Sequence, residues 1–197
     1  MAPDLVLASA SATRQGLLKA AGIPFRAVQP DVDESIIKIR MAGQDPAHIA
    51  RELAGAKALD VSRRCPGCVV LGADQTLNLD GRLFDKPASV DEARDHLTIL
   101  QGKTHRLETA AALAQEGHII WRCQRHATLT MRALTDEFLE TYTRDNSTDV
   151  TTSVGGYKIE GRGLQLFSAV EGSHFVILGL PLLELCAELR GRGILPE

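Results

Sequence analysis

Residues 69–81 read Val69-Val70-Leu71-Gly72-Ala73-Asp74-Gln75-Thr76-Leu77-Asn78-Leu79-Asp80-Gly81. The stretch begins as a short apolar run, which is typical of a strand buried on both faces. The carboxylate of Asp74 follows where the run gives way to alternating polar and apolar residues, and Asp80-Gly81 is a favoured hairpin turn. An acid at the end of a buried strand is costly unless a metal or cation pairs with it. Since ligands of α/β sheets collect at the carboxyl ends of strands, Asp74 is either a site residue or a turn-capping acid.

Composition restricts the classes of protein that this chain can represent. Its 197 residues fit one large domain or two small lobes that share a core, and 44% of them are hydrophobic. The net charge of −3 argues against a nucleic-acid or membrane partner, which would need a basic face. No apolar run approaches the ~20 residues of a membrane span. The N-terminus lacks the features of a signal peptide, so a cytoplasmic location is expected.

A CxxC motif, Cys65 to Cys68, raises the alternatives of a zinc site and a redox site. Zinc would need a second ligand pair at matching spacing, and none occurs in the sequence. A redox motif opens a helix after a strand, whereas this motif precedes the strand that starts at Val69. The position favours a Pro-Gly turn with incidental thiols.

A serine-rich turn follows the first predicted strand, residues 5–8. Ser9 and Ser11 lead into a predicted helix that contains Arg14 and stops at Gly22. Such a turn directs hydroxyls and backbone N–H groups at one point, which suits a phosphate, and Arg14 could add a forked pair of donors. The alternative is simple capping by one serine, with Arg14 in solvent.

Two further groups of charged residues carry the same ambiguity. Asp31, Asp33 and Glu34 form either a solvated acidic loop or part of a Mg²⁺ site, because hard cations take carboxylate oxygens. Lys57 lies beside the apolar face of a helix predicted over residues 46–63, where a lysine either snorkels or points at an anion.

The remaining elements predict an α/β fold in one compact unit, residues 1–197, with two lobes and a mixed sheet flanked by helices. Residues 155–163 contain four glycines and are predicted to form the last sheet segment, with a close backbone approach to some other group.

The order of the motifs is similar to that of Maf proteins, nucleoside triphosphate pyrophosphatases that are also called septum formation inhibitors. The matching segments are Leu7-Ala8-Ser9-x-Ser11-x-x-Arg14, Asp33-Glu34, Leu53-Ala54-x-x-Lys57-Ala58, Gly72-Ala73-Asp74, Lys86-Pro87, Gly102-x-x-His105, Gly156-Tyr157-x-x-x-Gly161 and Gly179-Leu180-Pro181. The resemblance covers nearly the whole chain. It implies hydrolysis of a nucleotide between the α- and β-phosphates, with a divalent metal such as Mg²⁺, Mn²⁺ or Co²⁺. It also implies a fold like that of the inosine triphosphate pyrophosphatases with the nucleotide in the central cleft, a homodimer, and a role in nucleotide house-cleaning or in arresting septation.

The resemblance assigns a role to each residue singled out above. Asp74 would be the base and would hold the metal together with Glu34. The phosphates would be bound by Ser9, Ser11, Arg14, Lys57 and Lys86. One departure is that Ala12-Thr13 stands where the family often has Pro-Arg, so one arginine is missing.

Three residues bear on the choice of base, namely Thr13, Gln75 and Glu160. This combination resembles the branch associated with N7-methyl-GTP, which lacks the first arginine, more than the branch that acts on dTTP and UTP. A dTTP/UTP or broad-specificity pyrophosphatase and a non-catalytic nucleotide-binding regulator of septation are the alternatives. A phosphatase that releases inorganic phosphate is a further one.

Overall fold

The computed structural model describes residues 4–196. These residues form seven strands: β1 (Leu5–Ala8), β2 (Arg26–Ala27), β3 (Val69–Leu79), β4 (Arg82–Phe84), β5 (Thr104–Gln115), β6 (His118–Met131) and β7 (Phe167–Glu171). They also form eight α-helices: α1 (Ala12–Ala20), α2 (Glu34–Arg40), α3 (Pro46–Arg64), α4 (Val90–Leu100), α5 (Asp136–Asp145), α6 (Ser147–Thr152), α7 (His174–Ile177) and α8 (Leu182–Gly191). None of the helices in this range is long and apolar enough to cross a membrane.

The strands form one sheet in the order β2-β1-β3-β5-β6-β7, with β4 paired to β3. Strand β1 is parallel to β2 and to β3, with Leu5 opposite Val69. The β3–β4 and β6–β7 pairs are antiparallel, so the sheet is mixed. A mixed sheet with α-helices packed on it confirms the predicted α/β class.

Local sequence signals account for several helix starts and for the turn after β3. Ser11, Asp45 and Ser89 cap α1, α3 and α4, and each accepts a hydrogen bond from the first turn of its helix. Asp80 and Gly81 both have positive φ, 52° and 86°, as the predicted hairpin turn requires. These local interactions are encoded within a few residues, which is why the sequence predicts them.

The chain divides into two compact units. The first contains the residues up to Gln75, Glu108–Arg125, and the residues from Ser173 onward; the second contains Thr76–Leu107 and His126–Gly172. The prediction that residues 1–197 make a single domain stays a prediction.

The sheet of the first unit is covered by helices on both faces, because alternate residues of β1 and β3 point to opposite sides. On one face, Leu7 and Leu71 pack with α1 and α8. On the other face, Val6 and Val70 pack with α3 through Val61. Gly72 and Asp74 lie in the same alternation as Val70, so they face α3, whereas Ala73 and Gln75 face the other side.

The second unit corrects one prediction. Residues 155–163 do not form a sheet segment; they lie in the 3-10 helix Val154–Gly156, a turn, and the beginning of a second 3-10 helix, Arg162–Leu166. The close backbone approach is to the protein itself, since a Cβ on Gly163 would lie 2.3 Å from the Lys158 carbonyl oxygen. Glycine was therefore the correct signal for crowding, but the periodicity of a strand was absent.

Candidate active site

The serine-rich turn joins β1 to α1 and is closed by its own hydroxyls. Ser9 Oγ accepts a hydrogen bond from the Ser11 N–H at 3.1 Å, and Ser11 Oγ accepts one from the Arg14 N–H at 3.3 Å. Thr13 is half-buried in the first turn of the helix. The hydroxyls of Ser9 and Ser11 thus engage two N–H groups of the turn, which leads directly into the N-terminus of α1, the end of a helix where phosphates bind.

Arg14 is held inside the first unit rather than solvated. Its Nε–H donates to the Gly179 carbonyl oxygen at 2.9 Å. Burial lowers the pKa of the Arg14 guanidinium from its ordinary value, while the negative charges of Asp74 and Glu34 oppose that shift. An arginine remains protonated under such conditions, so its positive charge stands beside the two carboxylates.

A lysine between two carboxylates is the electrostatic centre of this unit. Lys57 Nζ lies 2.5 Å from Asp74 Oδ1 and 2.7 Å from Glu34 Oε1. Lys57 and Asp74 are each only 7% exposed, whereas the side chain of Glu34 is 43% exposed. The sequence predicts that Lys57 either snorkels to solvent or faces an anion. In the structure its ammonium group is bound by the carboxylates of Asp74 and Glu34.

Each member of this cluster is placed by its own element. Glu34 is the first residue of α2, and Asp33 caps that helix by accepting the Ser35 N–H at 3.0 Å. Glu34 is therefore the start of a helix and Asp33 its cap, while Asp31 precedes the helix. Asp74 lies on β3, on the face that carries Gly72 towards α3.

Gly72 allows α3 and β3 to approach closely enough for Lys57 to reach Asp74. A Cβ at Gly72 would lie 2.2 Å from the Ala54 carbonyl oxygen and 2.6 Å from the Ala58 N atom. Real Cβ atoms do not occupy such positions, so only glycine fits here. The adjoining face of α3 consists of small residues, including Ala50, Ala54 and Ala58, for the same reason.

The chemistry of the donor set fits a divalent cation. Asp74 and Glu34 already converge on one positive group, and carboxylate oxygens are the ligands that Mg²⁺ takes, usually one or two from the protein with water and phosphate completing the shell. No group of three or more His, Cys, Asp or Glu residues suited to a metal occurs within residues 4–196.

Gln75 points away from Asp74, into the other face of the sheet. Its Nε2 donates to Thr109 Oγ1 at 2.9 Å and to the carbonyl oxygens of Val176 and Ile177 at 2.9 and 3.0 Å. Thr109 and the end of α7 were not singled out by the sequence, because no local signal marks a main-chain acceptor.

The other two predicted site residues belong to the second unit. Lys86 is exposed after β4, and Glu160 is exposed in the turn between the 3-10 helices. Lys158 binds Asp149 at 2.7 Å and Arg162 binds Asp145 at 3.3 Å. Among the described residues, Lys158 and Arg162 thus form their ion pairs with aspartates and not with Glu160.

The second unit also contains a buried polar pair for which the sequence predicts no role. His105 Nε2 and the Tyr157 hydroxyl are 2.7 Å apart, and His105 is 1% exposed. Burial lowers the pKa of His105 to about 4 and raises the pKa of Tyr157 well above its usual range. Both residues fall in segments that carry the family resemblance, which was the available signal.

The chain is similar to known proteins in sequence and in structure. The family model for Maf-like protein matches residues 4–192. The 7-methyl-GTP pyrophosphatase of Rhizobium etli is 43% identical over 98% of this chain and 98% of its own. The nucleoside triphosphate pyrophosphatase of Nitrobacter hamburgensis is 47% identical over 97% and 95%. The solved structure of a HAM1 protein from Coxiella burnetii has 18% identity and a TM-score of 0.42 over 66% of this chain and 73% of that one.

Proposed function

Because this chain belongs to the Maf-like protein family, we propose that it hydrolyses nucleoside triphosphates between the α- and β-phosphates, releasing a nucleoside monophosphate and pyrophosphate. Relatives of nearly full length carry the names 7-methyl-GTP pyrophosphatase and nucleoside triphosphate pyrophosphatase. The observation that carries the proposal is the convergence of Asp74 and Glu34 on Lys57 next to Arg14. A binding protein has no need of a buried carboxylate that is poised next to two cations.

The work of the protein in this reaction is mainly to hold charge in place. A triphosphate is densely anionic, so Arg14 and Lys57, together with the N–H groups and hydroxyls of the Ser9 and Ser11 turn, would bind and orient its oxygens. Lys86, an exposed lysine of the second unit, is the remaining proposed phosphate ligand.

Asp74 is the proposed general base. Lys57 takes one of its oxygens, and a carboxylate has further lone pairs that can accept a proton from the attacking water. A divalent cation, Mg²⁺ or alternatively Mn²⁺ or Co²⁺, held by Asp74 and Glu34 would neutralise phosphate charge.

The decisive experiment is Asp74→Asn with product analysis. The change keeps the shape of the side chain but removes the base and one negative charge, so turnover should fall by about 10² or more, with nucleotide binding less affected. Asp80→Asn, in the exposed hairpin turn that follows the same strand, is the matched control. Near-normal turnover of Asp74→Asn would exclude Asp74 as the base. In the wild-type protein, release of phosphate instead of pyrophosphate would indicate a phosphatase. Binding of the nucleotide by the wild-type protein without any product would indicate a non-catalytic regulator.

We propose that the preferred substrate is a modified nucleotide such as N7-methyl-GTP, with Thr13 and Glu160 as the residues bearing on base choice; Gln75, the third residue that the resemblance implies, has its amide bound to Thr109, Val176 and Ile177 on the face of β3 opposite Asp74. Guanine presents two neighbouring donors, and methylation at N7 adds a positive charge, so a carboxylate at Glu160 could accept charge-assisted hydrogen bonds. Uracil and thymine present one N–H flanked by carbonyl oxygens, which a carboxylate would repel. The two alternatives are a dTTP/UTP enzyme and a broad-specificity enzyme.

Glu160→Gln tests this choice. The variant should lose activity on N7-methyl-GTP. The ratio of kcat/KM for N7-methyl-GTP to kcat/KM for UTP or dTTP should fall, because an amide can donate to a pyrimidine carbonyl. Steady-state kinetics on both substrates measure the ratio, and Glu137→Gln, an exposed glutamate of α5, is the control. An unchanged ratio would remove Glu160 from the base site.

The same resemblance supports a homodimer that removes non-standard nucleotides in the cytoplasm, or that arrests septation. Light scattering of the purified protein tests the dimer, and a mass of one chain would refute it.

A further inference from the structure

The carbonyl oxygens at the end of α7 are bound by the side chain of Gln75. One amide nitrogen, Nε2, donates to Val176 O at 2.9 Å and Ile177 O at 3.0 Å, and also lies 2.9 Å from Thr109 Oγ1. The last carbonyls of a helix have no partner within it. Val176 O accepts the Gly179 N–H at 3.0 Å, and the Gln75 amide adds a side-chain donor to this helix end. Because the NH₂ group has only two hydrogens, these three acceptors engage it fully.

Thr109 ties the same helix end to the sheet. Its hydroxyl donates to Val176 O at 2.8 Å, and the residue is fully buried on β5. Val176 O therefore receives hydrogen bonds from two strands, β3 through Gln75 and β5 through Thr109. This pair of anchors fixes where the chain continues after α7.

Two residues after Ile177 the chain reaches Gly179, whose carbonyl oxygen accepts the Arg14 Nε–H at 2.9 Å. Gly179 has a φ of +91°, and a Cβ there would lie 3.3 Å from Nη2 of Arg14 and 3.4 Å from its Nε. That separation is tighter than an ordinary van der Waals contact. A side chain at this position would have to displace the guanidinium by a few tenths of an ångström.

We propose that residues 176–179 position Arg14, and we call them the positioning segment. The side chain of Gln75 holds the segment in place, and the Gly179 carbonyl oxygen binds the Arg14 side chain. Gln75 adjoins Asp74 on β3, so the segment sets the arginine relative to the strand that carries the proposed base. Gln75 and Gly179 then affect how well the triphosphate is bound and not which base is preferred. Because all substrates share the triphosphate, the effect is expected to be the same for each of them. The assignment rests on the proposed function of this site.

Uniformity across substrates is the first test. Gln75→Met keeps the length of the side chain but removes the amide, and Gly179→Ala adds the Cβ. Each should lower kcat/KM about 10-fold for N7-methyl-GTP, GTP and UTP alike, because a misplacement well under 1 Å in a clamp costs less than the ~10² expected for a full ångström. Gly193→Ala is the control for Gly179, since Gly193 has a similar positive φ of 68° with no atom within 4 Å of the added Cβ. A change of more than about 3-fold in the ratio of the substrates would instead make Gln75 a base reader and overturn the proposal.

Coupling to Arg14 is the second test. In an Arg14→Ala background, Gln75→Met and Gly179→Ala should have almost no further effect on kcat/KM, because the group they position has been removed. Independent, multiplicative losses would refute a positioning role. If Gln75→Met does not fold, Thr109→Val replaces it, since it removes one anchor of Val176 O while leaving the amide in place. It should give a smaller loss that is likewise absent in the Arg14→Ala background.

Binding of inorganic tripolyphosphate, measured by calorimetry, separates this proposal from the function it rests on. The probe has no base and requires no hydrolysis. Wild-type protein that neither binds tripolyphosphate nor releases pyrophosphate refutes the proposed function, and the positioning segment with it. Wild-type protein that does both, with Gln75→Met and Gly179→Ala binding tripolyphosphate as tightly as wild type, refutes the positioning segment alone. The expected result is a loss of about 10-fold in tripolyphosphate affinity in both variants and none in Gly193→Ala.

Discussion

Replacing Lys57 by methionine should destabilise the protein strongly, because it leaves a buried carboxylate without its partner. Lys57 Nζ lies 2.5 Å from Asp74 Oδ1, and the side chains of Lys57 and Asp74 are 8% and 10% exposed. Removing one member of such a buried pair costs about 3–5 kcal/mol. The contact with Glu34 adds little, since a side chain that is 43% exposed is screened by water and such pairs contribute about 0–1 kcal/mol. The expected loss is therefore about 3 kcal/mol, or a fall in Tm of roughly 6–12 °C for a chain of this size.

Equilibrium urea unfolding at pH 7 with a metal chelator present measures this loss. Lys19→Met, an exposed lysine of α1, is the control and should change stability by less than about 0.5 kcal/mol. The double variant Lys57→Met with Asp74→Asn should be more stable than Lys57→Met alone, because no uncompensated buried charge remains. The reasoning fails if Lys57→Met costs less than about 1 kcal/mol, or if the double variant is no more stable than the single one.

Two further changes probe the packing and the buried polar pair. Gly72→Ala should lower the free energy of unfolding by about 3 kcal/mol or more and also reduce turnover, because its Cβ would lie 2.2 Å from the Ala54 carbonyl oxygen and would push α3 and Lys57 away. Gly16→Ala, on the open face of α1, is the control and should be neutral or stabilising. Equal effects of the two changes would contradict the close-packing argument. Burial lowers the pKa of His105 to about 4 from 6.5, so acidification from pH 7 to pH 4 protonates the unfolded state first and should remove about 3 kcal/mol of stability. In His105→Asn this loss on acidification should be smaller by that amount, whereas the exposed His118→Asn should behave as wild type; identical acid sensitivity of all three proteins would show that His105 is not the group responsible.

The elements near the site could be predicted because their signals are local. The apolar runs of β1 and β3 predict strands that are buried on both faces. Ser11 predicts the start of α1 because its hydroxyl can accept a hydrogen bond from the backbone N–H three residues later. The order of the motifs is sufficient to predict the family. The roles of Asp74 as base, of Asp74 and Glu34 as metal ligands and of Arg14 as a phosphate ligand stay predictions. Residues 155–163 were misassigned, because glycines mark crowding without specifying whether the chain around them is extended or turned.

The sequence by itself determined strands β1 and β3, the starts of α1 and α3 and the residue types of the proposed site; the tertiary structure alone decided what each side chain touches. Lys57 and Asp74 are 17 positions apart, and Gln75 and Val176 are 101 apart. Periodicity assigns a residue to a face of its own strand or helix, but it carries no information on which element covers that face or at what distance. Those depend on packing, here on the missing Cβ of Gly72 that lets α3 approach β3 and on the carbonyl of Gly179 that meets Arg14. A hydrogen bond is lost when its partners move apart by about an ångström, so the partners of Lys57 and Gln75 depend on the packing of the whole fold.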